Sequence, residues 1–453
     1  MKLQKHVITG ALLLAMPVSA LAGSSALTDF SAKSAGRGTA VTAVADGPSQ
    51  LFYNPANIAR LPGLQVDAAI EAVMPRWGWA PLPGESGTAT KSDVGVATPP
   101  SLNLSYNFGK VGGLGDIAAG IGFASSYGAA FSWPDDWAGN QELQKLDLKV
   151  FELIPALAWR PNKYVAVGAG FRYLPSTMYT KRAVSFGSES TGTVELSGAG
   201  KGYGATAGIT IMPLDTLAFG IGWRSATTLK FEGDSHFAFP APYDTSAIDG
   251  TAKMQLPTAQ VIRAGVAYDL LPKRFNVSAD IEAQLWSKYK ALKVRLFDPD
   301  GNKTVADSPA NSKDSYVIHA GGEYVASKSL ALRAGYSYDR RTLPQSTVSP
   351  ASPDSDRHTA TIGASYMLGD VAGAKNVGVH LNVADTFFAK RTTYTAPFAG
   401  QYTGGWAGGT TIYVFGIGLT AAFDAGSGAS AFAAPAPDVA EPPAITNTST
   451  SAE

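Results

Sequence analysis

Beyond residue 22 the side chains suited to acid–base work are few: the histidines there are His236, His319, His358 and His380. A hydrolase would join such a histidine to a serine or an aspartate, yet no Gly-x-Ser-x-Gly accompanies them. Catalysis is therefore not expected, and hydrogen bonding explains the histidines more simply. Nothing resembles a metal cluster or a phosphate-cradling glycine loop, so neither metal nor cofactor is expected. The remaining candidates are charges: Arg263 with Asp280 or Glu282, and Glu323 with Arg333. Cross-strand pairs that neutralise a polar interior are the simpler reading of these. Lys and Arg total 36 and Asp and Glu total 36, which gives no electrostatic reason to expect nucleic acid.

The elements that place these residues are strands. In Phe275 to Leu285 the apolar set Phe275, Val277, Ala279, Ile281, Ala283 and Leu285 alternates with Asn276, Ser278, Asp280, Glu282 and Gln284, the signature of a sheet with unlike faces. Ser101 to Phe108, Asp116 to Ala124 and Tyr203 to Ile211 repeat it. The runs lie at 64–74, 101–108, 115–124, 148–160, 163–174, 202–212, 216–224, 260–270, 275–285, 316–325, 330–338, 358–368, 376–386 and 411–423. About fourteen such runs suit a bacterial transmembrane barrel, whose strands are roughly 9–11 residues long.

The connections point the same way. After the first strand they alternate long (75–100, 125–147, 175–201, 225–259, 286–315, 339–357, 387–410) and short (161–162, 213–215, 326–329). Outer-membrane barrels have long external loops and short periplasmic turns. Trp159, Trp223, Trp286, Tyr336, Tyr338, Phe387 and Phe388 cluster near strand ends, as an interfacial girdle requires. The fold class expected is an all-β transmembrane antiparallel barrel, 64–423, in the bacterial outer membrane.

Three segments flank or precede that barrel. Residues 1–22 carry Lys2 and Lys5, an apolar run from Val7 to Met16, and Ala20 and Ala22 at an Ala-x-Ala site, the pattern of a secretory signal peptide. Residues 23–63 alternate little and are rich in small side chains, as a plug folded into the lumen would be. Residues 424–453 are Ala-, Pro-, Ser- and Thr-rich and lack the apolar content to order themselves, so a disordered periplasmic tail is expected. The absence of cysteine excludes a lipid-modified N-terminus and disulfides.

Asp29-Phe30, Ser34 to Ala40, Phe52-Tyr53-Asn54-Pro55-Ala56 and Leu61-Pro62-Gly63 resemble the hatch of FadL-type transporters of long-chain fatty acids and other hydrophobic compounds. Further matches follow in order: Ser126-Tyr127-Gly128, Lys230 to Asp234, Leu256-Pro257, Trp286-Ser287 and Pro353 to His358. The resemblance implies a hatch that includes Phe30, Asn54, Pro55 and Ala56. It also implies a wall opening where Ser126, Tyr127 and Gly128 follow the third strand. A ligand would meet an apolar groove of external loops, pass to a pocket above the hatch, and leave sideways into the outer leaflet. The departures are a leader that begins Gly23-Ser24-Ser25-Ala26-Leu27 without an early Phe, and about thirty residues after Phe423.

On that scheme Phe231, Phe237, Phe239 and Tyr243 make the fourth external loop apolar enough for a groove, or else pack the loop on itself. Lys181 and Arg182, just beyond the fifth strand, could receive a carboxylate, or could bind lipopolysaccharide phosphates or nothing. The partners expected are a hydrophobic small molecule, outer-membrane lipid and lipopolysaccharide, with the barrel a monomer. A hydrophilic diffusion porin and an adhesive or structural barrel are the rival readings, and a porin would begin its first strand almost immediately after cleavage.

Overall fold

The computed structural model describes residues 26–81, 88–186, 190–240, 249–348, 353–389, 391 and 410–423. The expected signal peptide 1–22, the tail 424–453 and Tyr243 lie outside the described residues.

Fourteen strands form one antiparallel ring. They are β1 (Leu64–Arg76), β2 (Pro100–Lys110), β3 (Asp116–Ser132), β4 (Lys145–Arg160), β5 (Val165–Phe186) and β6 (Ser190–Leu214). Next come β7 (Leu217–Arg224, resumed at Thr228–Ala238) and β8 (Gly250–Pro257, resumed at Gln260–Leu271). β9 (Phe275–Leu285, resumed at Ala291–Phe297) and β10 (Lys303–Pro309, resumed at Ser315–Val325) are interrupted in the same way. The ring is completed by β11 (Leu330–Asp339), β12 (Arg357–Val371), β13 (Ala374–Phe388) and β14 (Thr410–Phe423). Each strand pairs with its neighbour in sequence, and β1 closes on β14 from Leu64↔Phe423 to Arg76↔Thr411. Closure leaves no unpaired edge, which a hydrocarbon solvent cannot satisfy.

Period two sets the two faces. Ile281 is 55% exposed, whereas its neighbours Asp280 and Glu282 are buried. Leu102, Leu157, Phe171, Ile221, Ile318, Ile362 and Ile417 are likewise exposed around the ring. A soluble protein rarely shows so continuous an apolar band, whereas a barrel in lipid must. No helix among the described residues is long and apolar enough to cross a membrane.

Several expected loops are strand. β5 and β6 run far past the length a bilayer needs, and the second segments of β7 and β9 form hairpins above it with the first segments of β8 and β10. The alternation simply persists there. Leu229, Phe231, Ser235 and Phe237 are buried, and Lys230, Glu232 and His236 are exposed. Pairing satisfies backbone donors in water as well as in lipid, so nothing stops the strands at the membrane surface. Phe231 and Phe237 are thus strand residues, not loop residues, and Lys181 and Arg182 lie within β5, not beyond it. Ser126, Tyr127 and Gly128 lie within β3. Of the expected girdle, Trp159, Tyr336 and Phe387 are exposed, whereas Trp286 and Phe388 face the interior and are buried.

Candidate functional site

The segment before β1 has almost no sheet of its own. It forms a short helix, Ala32–Gly36, capped by Ser31, and two 3₁₀ turns, Pro48–Phe52 and Pro55–Arg60. Phe30, Leu51, Phe52, Tyr53, Asn54, Ala56 and Ile58 are fully or nearly fully buried. The segment touches inner faces all round the ring. Asn107 on β2 donates to the carbonyls of Ala59 and Leu61, Asn54 donates to Thr210 on β6, and the Thr42 amide donates to Asp280 on β9. This leader therefore runs inside the cylinder.

Asn54 shows why the residue types matter. Its Oδ1 accepts from the Ala56 amide at 3.2 Å and so starts the second 3₁₀ turn. Its Nδ2 donates to the carbonyl of Thr42 at 2.9 Å and to Thr210 Oγ1 at 2.9 Å. Pro55 follows at the first position of the turn, where no amide hydrogen is needed. The wall admits this contact only because it carries glycine there. A Cβ at Gly208 would sit 2.0 Å from Asn54 Oδ1, and one at Gly222 would sit 2.0 Å from the Tyr53 carbonyl.

On the β8–β10 side the leader is held by charge. The amides of Val41 and Thr42 and the Thr42 hydroxyl all donate to Asp280, at 2.9, 2.9 and 2.7 Å. Arg263 donates to the Thr39 carbonyl at 3.1 Å and pairs with Glu282, its register partner. His319 Nδ1 lies 3.0 Å from both Thr39 Oγ1 and the Gly38 carbonyl. Glu323 and Arg333, also register partners, form a 2.5 Å ion pair. His380 bonds Ser365 and Thr420, while His236 and His358 sit outside, against Asp249 and Tyr336. Within the leader, burial pushes the Asp29 carboxyl up to about 6, and the nearby charge of Arg263 offsets this only in part.

The start of the leader meets the wall at β3. The β3–β4 register slips between Ser125 and Tyr127, so Ser126 is the extra residue of a β-bulge. Leu27 donates its amide to the Ser126 carbonyl at 3.0 Å, and Ala26 bridges to Tyr127. Ser126 also bonds Glu152, which accepts from Arg172 and Arg224, and Arg224 lies 5.7 Å from the Phe30 ring. Phe30 stacks on Phe52 at 4.4 Å. A narrow cleft bordered by Leu27, Phe30, Tyr127, Arg224 and Trp286 opens here. Its cavity volume is about 30 Å³, roughly two to three times the 10–15 Å³ that holds one water.

Above the cleft the interior turns apolar. Phe231, Phe237, Met178, Leu196, Met254, Trp286 and Tyr289 belong to one buried cluster, with Phe239 packed against it. The cluster continues through Trp77 and Phe131 (5.0 Å) to Trp133 and Trp137 (4.3 Å) near the external end. Arg182 is buried on the same face, next to its register partner Val194, and neither of its Nη atoms has a hydrogen-bond partner among the described residues. Glu142 is the carboxylate whose charge reaches it. Lys181 points the other way, 3.9 Å from Glu195. Met178, Leu196 and the tryptophans did not stand out in the sequence. The unbroken alternation beyond 174 was the signal that marks Met178 and Leu196.

A closed cylinder with an apolar outer band, an occupied lumen and an apolar upper interior defines an outer-membrane transport barrel. The chain belongs to the family described as outer membrane protein transport protein (OMPP1/FadL/TodX), whose model matches residues 13–423. The long-chain fatty acid transport protein of Escherichia coli O6:H1 is 24% identical over 386 residues, covering 76% of this chain and 84% of the relative. That of Salmonella typhi is 23% identical over 382 residues, covering 78% and 86%. Among solved structures, a Pseudomonas aeruginosa FadL homologue aligns with TM-score 0.76 at 16% identity, covering 88% of this chain and 100% of that one. The Pseudomonas putida toluene transporter TodX aligns with TM-score 0.72 at 17% identity, covering 88% and 99%. The family consists of transport channels of the outer membrane.

Proposed function

We propose that this barrel takes up hydrophobic small molecules bearing a carboxylate, long-chain fatty acids being the best match, and releases them sideways through its wall. The observation that carries this reading is Arg182: a buried guanidinium in the apolar upper interior, with two nitrogens that lack a hydrogen-bond partner among the described residues. A cation so placed suits one anionic head with a greasy chain. Phe231, Phe237 and Phe239 contribute the apolar surface for that chain, and Tyr243 is assigned to the same groove. Removing each methylene from water gains about 0.8 kcal/mol, so a long chain favours the chamber strongly. Lys181, already beside Glu195, has no part in the anchor.

The leader serves as the hatch, with Phe30, Asn54, Pro55 and Ala56 at its centre. The cleft beside Ser126 and Tyr127, next to Gly128 along β3, is too small for an acyl chain, so transport requires the Ala26–Leu27 end to leave β3. The exit then lies at the bulge, where the ladder is already interrupted. The whole route lies within one chain, so a single copy suffices.

The chain has no cysteine, which makes a clean test available. In an Ala26→Cys/Tyr127→Cys double variant, oxidation is expected to stop fatty acid uptake by cells lacking their own transporter, and reduction to restore it. Undiminished uptake with the crosslink closed removes the hatch movement from the scheme. Arg182→Met is expected to raise the apparent KM for a long-chain acid about tenfold while leaving a neutral aromatic hydrocarbon unaffected. An equal effect on both ligands removes the carboxylate anchor.

A further inference from the structure

At the external rim, outside the chamber, a cleft of about 240 Å³ lies between the break in β10 and the segment that leaves β11. Four of its lining residues are cations, Lys313, Arg340, Arg341 and Arg391, against one carboxylate, Asp314. Asp314 is engaged by the Ser287 amide at 2.7 Å. Arg391 is committed to Gln345 and to the carbonyls of Asp354 and Leu343, and Arg341 lies 3.2 Å from Asp356. Lys313 and Arg340 are exposed and, among the described residues, have no carboxylate partner. The cleft thus carries uncompensated positive charge. It also has room for a phosphate group, since a water's share of liquid volume is about 30 Å³.

Position tells what reaches it. Arg340 continues the outward-facing phase of β11, past Leu332, Ala334, Tyr336 and Tyr338. Its guanidinium stands 5.5 Å over the ring of Tyr316, itself 6.1 Å from Tyr338. Amphipathic rings on the lipid-facing surface mark the level of the head groups. Arg340 sits one step above that level on the leaflet-facing side, and Lys313 and Arg341 border the same cleft.

We propose that Lys313 and Arg340, supported by Arg341, bind a phosphate of a phosphorylated glycolipid in the outer leaflet. The site is separate from the uptake route: Lys313, Arg340 and Arg341 are exposed and lie outside the buried apolar cluster, which meets the cleft only at Leu343. Two cations bracketing one phosphate, with a tyrosine platform below for the sugar and the first methylenes, suit a lipid held at fixed height against the wall.

The test uses the full-length barrel in nanodiscs, with bisphosphoryl lipid A retained through native mass spectrometry and titrated for affinity. Lys313→Gln/Arg340→Gln is expected to lower the affinity about tenfold, while Lys313→Arg/Arg340→Lys keeps it. Lys163→Gln, in a turn at the opposite end, is expected to change nothing. Heat-modifiable migration on gels checks that each variant is folded. Wild-type affinity in the double Gln variant overturns the proposal, as does equal binding of dephosphorylated lipid A. Displacement of the lipid by an equal concentration of inorganic phosphate shows a site for the free ion and equally overturns the assignment to a lipid.

Discussion

The lower and upper halves of the lumen are filled by opposite means. Below, the leader is held by directional contacts: three donors converge on Asp280, Arg263 reaches the Thr39 carbonyl, and Asn54 bonds two partners across the bore. Above, Phe231, Phe237, Met178, Leu196 and Trp286 meet through surface contact alone. Directional contacts fix one arrangement and fail together when a partner is lost, whereas apolar contacts accept many shapes. The lower half is therefore built to hold one segment in one pose, and the upper half leaves its side chains freer to repack.

The sharpest way to break that comparison is to remove the lower occupant. Deleting residues 26–63 is expected to turn a low-conductance barrel into an open pore in planar bilayers, because a ring of about fourteen strands leaves an aqueous bore. Unchanged conductance defeats the idea that the leader is the barrier. Next in size is Asp280→Ala, which strands the Val41 and Thr42 amides and should weaken leader docking by about 3–5 kcal/mol, read as protease cleavage within 26–63. Met178→Leu in the chamber should cost less than about 1.5 kcal/mol in thermal stability. Equal costs would erase the distinction between the halves.

A steric variant sharpens it. Gly208→Val places its Cβ where Asn54 Oδ1 now lies, so the second 3₁₀ turn must move and basal conductance should rise, though by less than in the deletion. The smallest effect concerns pH. The Asp29 carboxyl is raised from 3.8 to about 6, so its contribution to the docked leader is fully present below 3.8 and is lost as pH rises through 6. Spontaneous opening events should be rarer at pH 5 than at pH 8, and Asp29→Asn should flatten that difference. A pH dependence untouched by Asp29→Asn assigns the titration to another group.

The membrane-crossing part of the fold was legible because period two leaves a mark at every step. Phe275 to Leu285 fixes which face is greasy, and the structure keeps that phase, with Ile281 outside and Asp280 inside. The pairing of Glu323 with Arg333 was legible for the same reason. What the sequence concealed is where strands stop. Thr228–Ala238 alternates as well as any bilayer segment, but polar residues in both phases made it read as loop. The leader was harder. Its small residues signal close packing without naming partners, and Gly208 under Asn54 becomes meaningful only when two segments some 150 positions apart are brought together. Arg182 and Lys181 looked equivalent in the chain. One residue of phase separates a buried guanidinium in the apolar interior from a cation beside Glu195.

The pairing of Leu64 with Phe423 has a bearing on biogenesis. The leader is joined through Gly63 directly to the strand that closes on the last one, and the Gly63 carbonyl accepts from the Asn107 amide beside that seam. Once the first and last strands zip together, a segment with contacts on every wall has no lateral way in. Threading must therefore be complete before the seam forms, or proceed afterwards from the periplasmic mouth at the end of its own short tether. Maturation of this protein thus includes a threading step that an empty ring would not need.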